Sequence, residues 1–232
     1  MADRAAGSSL AGRGRRAAAA ATVALVLASL PAAKPATAHP HIYVDAEIGL
    51  AIADGGALTA LQVVWRFDAF HTLFALAFDD IEPAADGGLS PEAEETLIRA
   101  YTRWERGFDG FAKLSRNGDP IGMEPPAEVS ARLVDDQLEI AFVRDLTTPL
   151  PLSEAAAEIA VYDGTYYHAV TVAEAPKIMG AAAGCRAALA PFNPDERSST
   201  LRAALADLGR EETPAIEDVG ALFADRIEIS CD

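Results

Sequence analysis

Ile42-Tyr-Val-Asp45-Ala-Glu-Ile48-Gly-Leu50-Ala-Ile52-Ala-Asp54-Gly-Gly56-Ala-Leu58-Thr-Ala-Leu-Gln-Val-Val-Trp65-Arg-Phe67 is the stretch that decides the fold. Ile42 to Ile52 is rich in β-branched and aromatic residues, and Asp54-Gly55-Gly56 is a turn signal. Leu58 to Phe67 then returns as a second strand, so residues 42–67 read as a β-hairpin.

From Asp68 the period changes. Phe70, Leu73, Phe74, Ala77 and Phe78 fall on one face at 3.6-residue spacing, which predicts a short amphipathic helix. A polar loop over 80–88 leads to Ser90-Pro91-Glu92. That order places Ser at the N-cap, Pro at the first helical position and acids in the first turn. The helix is expected to run to about Phe111 with Leu97, Tyr101, Trp104 and Phe108 inward. Strands dominate the remainder. Asn117-Gly118-Asp119 is a turn, 128–134 and 138–143 flank Asp135-Asp136-Gln137 as a hairpin, and 157–162 and 166–172 flank Asp163-Gly164 as another. A short helix is expected near 216–224 and a last strand at 226–231. The predicted class is α+β, an antiparallel β-sheet or sandwich with inserted helices.

The first 38 residues read as a cleavable signal peptide. Arg4, Arg13, Arg15 and Arg16 precede the uncharged run Ala17–Leu30, Pro31 follows, and Ala36-Thr37-Ala38 has the small-x-small pattern of a cleavage site. The alternative, an uncleaved anchor, would need ~20 apolar residues. Residues 39–232 are then expected to form one periplasmic domain with no membrane span. Five of the nineteen basic residues and one of the thirty-five acids lie before residue 39, so the remainder carries a formal charge of −20. Such a surface repels nucleic acid and anionic lipid and attracts cations or basic partners. Two cysteines in an oxidising compartment, Cys185 and Cys231, predict a disulfide, with a metal-binding Cys pair as the alternative.

Cleavage after Ala38 would expose His39-Pro40-His41. The new α-amino group and the His39 imidazole can chelate one ion, and both shed protons near neutral pH. Pro40 has no N–H, which blocks ligation through two deprotonated backbone amides. Residues 39 and 41 of an extended segment share a face. The candidate metal ligands are therefore His39 and His41, with His71 or His168 completing the site, and these are the four histidines of the chain. The competing readings are a solvated terminus and two ordinary, partly buried imidazoles. Nitrogen ligands suit Cu, Ni, Zn or Co as a single divalent ion. The loop at Asp86-Gly87 has the order of half a calcium loop, but Ala84 and Ala93 stand where oxygen ligands belong, so no calcium site is expected. No nucleophile elbow, phosphate loop or zinc-protease helix is present, and the chain is not expected to be an enzyme.

Together, the leader ending at Ala38, His39-Pro40-His41-Ile-Tyr-Val-Asp45, Trp65-Arg-Phe67-Asp68, Asp86-Gly-Gly-Leu-Ser90, Val161-Tyr-Asp-Gly-Thr-Tyr-Tyr167 and the late Cys185 and Cys231 resemble one family. This is the bacterial domain-of-unknown-function family described as the periplasmic component of an uncharacterised ABC-type transport system. Members are often encoded near nickel/cobalt-type exporters, so the resemblance implies transition-metal handling and a membrane transporter component as partner. The acidic loop here is shorter of ligands than in many members. The expected role is a periplasmic accessory or solute-binding component handling a divalent transition metal. The alternatives are a metal-free adaptor docking on a transporter and a histidine-brace copper enzyme.

Overall fold

A computed structural model describes residues 40–181, 183–206 and 216–232. The predicted signal peptide and His39 lie outside the described residues. Among those described, eleven strands form two sheets, joined by a shared hydrophobic core.

Strands β1 (Ile42–Ala53) and β2 (Ala57–Phe67) form the expected hairpin, with Gly55 and Gly56 supplying the positive φ that its turn needs. Strands β3 (Ala112–Arg116) and β4 (Asp119–Pro120) pair around Asn117-Gly118. Strands β5 (Ala127–Val134) and β6 (Gln137–Pro151) pair around Asp135 and Asp136, both at positive φ. The others are β7 (Ala157–Val161), β8 (His168–Val172), β9 (Lys177–Gly180), β10 (Cys185–Ala190) and β11 (Asp225–Cys231). One sheet runs β5-β6-β2-β1-β8, with β9 also on β1; the other runs β10-β11-β7-β3-β4. Leu50 and Ile140 of the first sheet and Ile159, Ile227 and Ile229 of the second are fully buried in one cluster. The α+β sandwich is therefore as the pattern indicates, although β8 and β9 join β1 in parallel rather than antiparallel fashion.

Several expectations are corrected. Residues 157–172 are not a hairpin: β7 pairs with β3 and β11 in one sheet, while β8 pairs with β1 in the other. The Asp163 carboxylate redirects the chain by accepting from Thr165 N, Thr165 Oγ1 and His168 N at 2.9 Å each. Gly220 permits the crossing, because a Cβ there would lie 1.7 Å from the Asp163 carbonyl oxygen.

The second correction concerns helix α2 (Pro91–Thr102), which ends well before Phe111. Ser90 Oγ caps it by accepting from Ala93 N at 3.2 Å, as expected. Turns with positive φ at Gly107 and Gly110 then carry the chain to β3. Trp104 and Phe108 still pack on the core from this irregular segment. A Cβ at Gly110 would meet the Trp104 ring at 2.8 Å, so only glycine fits there.

Helix α1 (Ala69–Phe78) forms as expected, and it turns its apolar stripe outward. Phe70, Leu73, Phe74 and Phe78 are 58–77 % exposed, and the buried residues are Thr72, Ala75 and Leu76. Asp68 fixes this orientation from the N-cap: Oδ1 accepts from His71 N and Oδ2 from Tyr43 N, both at 2.9 Å. Thr72 fixes it from within, since its buried hydroxyl accepts from Leu138 N at 2.9 Å. The remaining elements are α3 (Glu196–Ala206) and, in place of the predicted helix near 216–224, a 3-10 turn at Val219–Phe223.

Asp225 closes the structure beside these turns. Its buried carboxylate accepts from Val172 N at 2.7 Å and Phe192 N at 2.6 Å, tying β8 of one sheet to β11 of the other. Cys185 and Cys231 face each other across β10 and β11 and form the predicted disulfide, with Cα atoms 4.0 Å apart. Neither cysteine is free, which rules out the metal-binding alternative for the pair.

Candidate functional site

Three elements bring imidazoles to one region. His168 opens β8, and the parallel register sets it beside Ile42 of β1. Its Nδ1 lies 2.7 Å from Asp163 Oδ2, the oxygen that also accepts from the His168 backbone N–H. An ionised carboxylate can only accept, so Nδ1 carries the proton and Nε2 is left with the lone pair when the ring is neutral. Burial pushes the Asp163 carboxyl up, but hydrogen bonds from the His168 ring and backbone, its charge and the Thr165 N–H outweigh that and hold the group below the ordinary carboxylate range.

His71 comes from α1. Its Nε2 lies 2.7 Å from the Tyr101 hydroxyl, and its ring packs 4.7 Å from Phe67. Burial, helped by the nearby His168 and opposed by Asp68, lowers its pKa to about 4. His71 is therefore neutral at physiological pH. Tyr101 is pushed up by burial and by Asp79, so it stays protonated.

His71 and His168 both line a cavity of about 420 Å³. Its walls are mostly aromatic: Trp65 and Phe67 from β2, Tyr101 from α2, and Trp104, Phe108 and Phe111 from the turns that follow. His41 stands just outside. Its N–H donates to the Tyr167 carbonyl at 2.9 Å, and its ring packs 4.7 Å from that of Tyr167, itself a wall residue. His39 falls outside the described residues. Among the described residues, no group of three or more His, Cys, Asp or Glu side chains is placed to hold a metal ion. The disulfide is remote from this region. It lies beside the Gly56 turn, at the end of β1 opposite His41, and twelve strand residues span roughly 35–40 Å.

Sequence reasoning singled out three of these histidines but not what surrounds them. Asp163 was legible only as a turn residue, and nothing marked Trp65, Trp104 and Phe111 as neighbours. Asp163 and its partner His168 are five positions apart, a spacing that could have suggested a turn-held pair.

A family model described as "Protein of unknown function (DUF1007)" matches residues 23–231. The chain belongs to this family. The DUF1007 match runs from within the expected leader to the last strand, and so includes His41, His71, Asp163, His168 and both cysteines. No curated protein matches the sequence. Among solved structures, the acetylcholine-binding protein type 1 of Biomphalaria glabrata is similar at 11% identity, over 93% of this chain and 98% of that one, with a TM-score of 0.38. A likeness that loose carries no argument about this DUF1007 member. The disulfide is the mark of an oxidising, extracytoplasmic setting. Among the described residues, no helix is long and apolar enough to cross a membrane.

Proposed function

We propose that this DUF1007 protein is a periplasmic accessory or solute-binding component of a transport system, and that it handles one divalent transition metal ion, Ni, Cu, Zn or Co, through the imidazoles at the cavity. One observation carries the reading. His168 is held by Asp163 so that Nε2 keeps its lone pair, and neutral His71 lines the same cavity. A carboxylate behind the ligating imidazole is the usual means of fixing a metal-binding tautomer. His41, one aromatic ring away, would bring the His39 amine and imidazole of a cleaved chain to the same side. A formal charge of −16 over the whole chain raises the local cation concentration.

The test is calorimetric titration of the secreted protein with Cu(II), Ni(II), Zn(II) and Co(II), beside His39→Ala/His41→Ala and His71→Ala/His168→Ala variants. Native mass spectrometry of the same samples reads the start of the chain, the disulfide and the bound ion. One equivalent of metal and at least a tenfold weaker affinity in both variants are expected. Affinity unchanged in the first pair removes the N-terminus from the site, and affinity unchanged in both pairs refutes metal handling by these residues.

A second reading, a metal-free adaptor docking on a membrane transporter, draws on α1. Its outward Phe70, Leu73, Phe74 and Phe78 form a helix face with i, i+3, i+4 and i+8 anchors, the pattern an apolar groove on a partner would accept.

A further inference from the structure

Helix α1 holds its apolar stripe in solvent, and the charges around it narrow what could cover it. Phe70, Leu73, Phe74 and Phe78 are 58–77 % exposed. From Phe70 to Phe78 the stripe runs about 12 Å along the helix. A fully covered phenylalanine buries ~150–250 Å², so three rings exposed by more than half offer roughly 300–500 Å². A patch of that size on a protein surface marks an interaction site.

The same part of the chain is acidic without compensation. Residues 68–98 hold eight acids and no lysine or arginine. Asp68 and Asp79 stand at the two ends of α1, and Asp80, Glu82 and Asp86 follow, all three exposed. Elsewhere several surface acids are matched: Asp232 by Arg186, Glu158 by Arg226, Asp218 by Lys113 and Glu47 by Lys177. Of the eight acids in 68–98, the only one in an ion pair among the described residues is Glu95, with Arg99. Nor do they gather into a cage, since no group of three or more His, Cys, Asp or Glu among the described residues could hold a metal ion. They form a spread negative field around an apolar stripe.

A second copy of the chain would bring two such fields together, and an anionic lipid surface would meet the same repulsion. A partner whose apolar side chains are flanked by Lys or Arg meets both features at once. Its apolar side covers the rings, and its cations face acids that the chain itself leaves unpaired.

We propose that α1 docks a basic amphipathic helix of a protein partner, its apolar face on Phe70, Leu73, Phe74 and Phe78 and its lysines or arginines against the surrounding acids. The inference rests on the adaptor reading for the docking face and adds the chemistry of the partner.

The experiment follows the fluorescence anisotropy of two labelled synthetic helices of about 18 residues, one of Leu and Lys and one of Leu and Glu, each with its leucines on one face. The titrant is the secreted protein, in EDTA so that metal does not contribute. The Leu/Lys helix is expected to bind saturably, about tenfold or more tighter than the Leu/Glu helix, and to weaken as salt is raised. Phe74→Ser/Phe78→Ser keeps every charge and is expected to weaken the Leu/Lys helix about tenfold or more. Phe78→Ser alone, at a ring 77 % exposed, carries the test if the double variant lowers the thermal midpoint. Asp79→Asn/Asp80→Asn/Glu82→Gln keeps every ring and is expected to cost about fivefold at low salt and little at high salt.

No saturable binding of the Leu/Lys helix overturns the inference. Affinity unchanged in the Phe variants takes docking away from α1, and with it the adaptor reading's use of that face. Equal binding of the two helices, lost in the Phe variants, leaves α1 as the docking face and overturns only the basic partner. Self-association in sedimentation, or binding to phosphatidylcholine or phosphatidylglycerol vesicles, that the Phe variants abolish would assign the stripe to a second copy or to lipid and overturn it too.

Discussion

Asp225 is the place where one side chain decides the relation of the two sheets. Its carboxylate takes a hydrogen bond on each oxygen, from Val172 N in β8 and from Phe192 N after β10, and it is almost fully buried. Asp225→Ala removes both acceptors and leaves two N–H groups without partners. A hydrogen bond to a charged group contributes ~1.5–3 kcal/mol, and an orphaned buried donor costs ~1–3 kcal/mol. Val172 is buried but Phe192 only half so, which places the expected loss at about 4 kcal/mol rather than the upper limit. Asp225→Asn keeps one acceptor and points an amide N–H₂ at the other donor, so about 2 kcal/mol is expected. Urea unfolding followed by tryptophan fluorescence measures both. With a slope of ~2 kcal/mol per molar, the midpoint drops by about 2 M for Ala and about 1 M for Asn. An Asn variant as stable as the parent, or an Ala variant losing less than ~1 kcal/mol, would refute the claim that this carboxylate joins the sheets.

Three further outcomes follow from the same structure. In metal-free protein, His71 titrates near 4 when folded and near ~6.5 when unfolded, so above pH ~6.5 it favours neither state, and stability is lost progressively as pH falls from there to about 4. Discounted for its partial exposure this is roughly 1–2 kcal/mol, and it should be missing in His71→Gln when urea midpoints at pH 7 and pH 4.5 are compared. Replacing Cys185 and Cys231 with Ser opens a loop of 46 residues' separation and is expected to remove roughly 3–4 kcal/mol, read as a thermal midpoint lower by about 10 °C; a change under ~2 °C would count against it. Asp163→Asn leaves His168 Nδ1 without its carboxylate, and a metal affinity reduced ~10–100-fold is expected by calorimetry, whereas unchanged affinity would remove His168 from the ligand set.

Where local chemistry alone decides structure, the residues could be read directly. Asp54-Gly55-Gly56 turns the β1–β2 hairpin because glycine reaches positive φ without cost, and Ser90-Pro91 starts α2 because that order satisfies and pre-shapes a helix end. Asp163-Gly164 carries similar local signals and yet leads the chain between sheets. What separates it from a hairpin is non-local: β8 finds β1, β7 finds β3 and β11, and Asp225 holds the result. Helix α1 forms where the period predicts it, but which of its faces turns inward could not be read. Ala69–Phe78 contains only His71 and Thr72 as polar residues, so periodicity has little contrast with which to choose an inner face. The Thr72 hydroxyl chooses it, through one hydrogen bond to a strand 66 residues away.

The site shows the same limit and gives α1 its meaning. Its imidazoles come from α1 and β8 and its rings from β2, α2 and the turns after it, so no window of sequence contains it. Yet the outward face and the cavity are two sides of one ten-residue helix. His71 meets Phe67 and Tyr101 on the inside, and its ring centroid is 6.5 Å from Phe74, which belongs to the exposed stripe. The helix is held at its start by Asp68 and in its first turn by Thr72, while the rings of Phe74 and Phe78 beyond them lie 6.0 Å apart. A partner that covers Phe74 therefore presses on the residue next to the cavity imidazole. Docking on α1 and binding at His71 would then share one lever, and a Phe74→Ser variant that alters ligand response in the cavity without altering stability would separate this coupling from two independent surfaces.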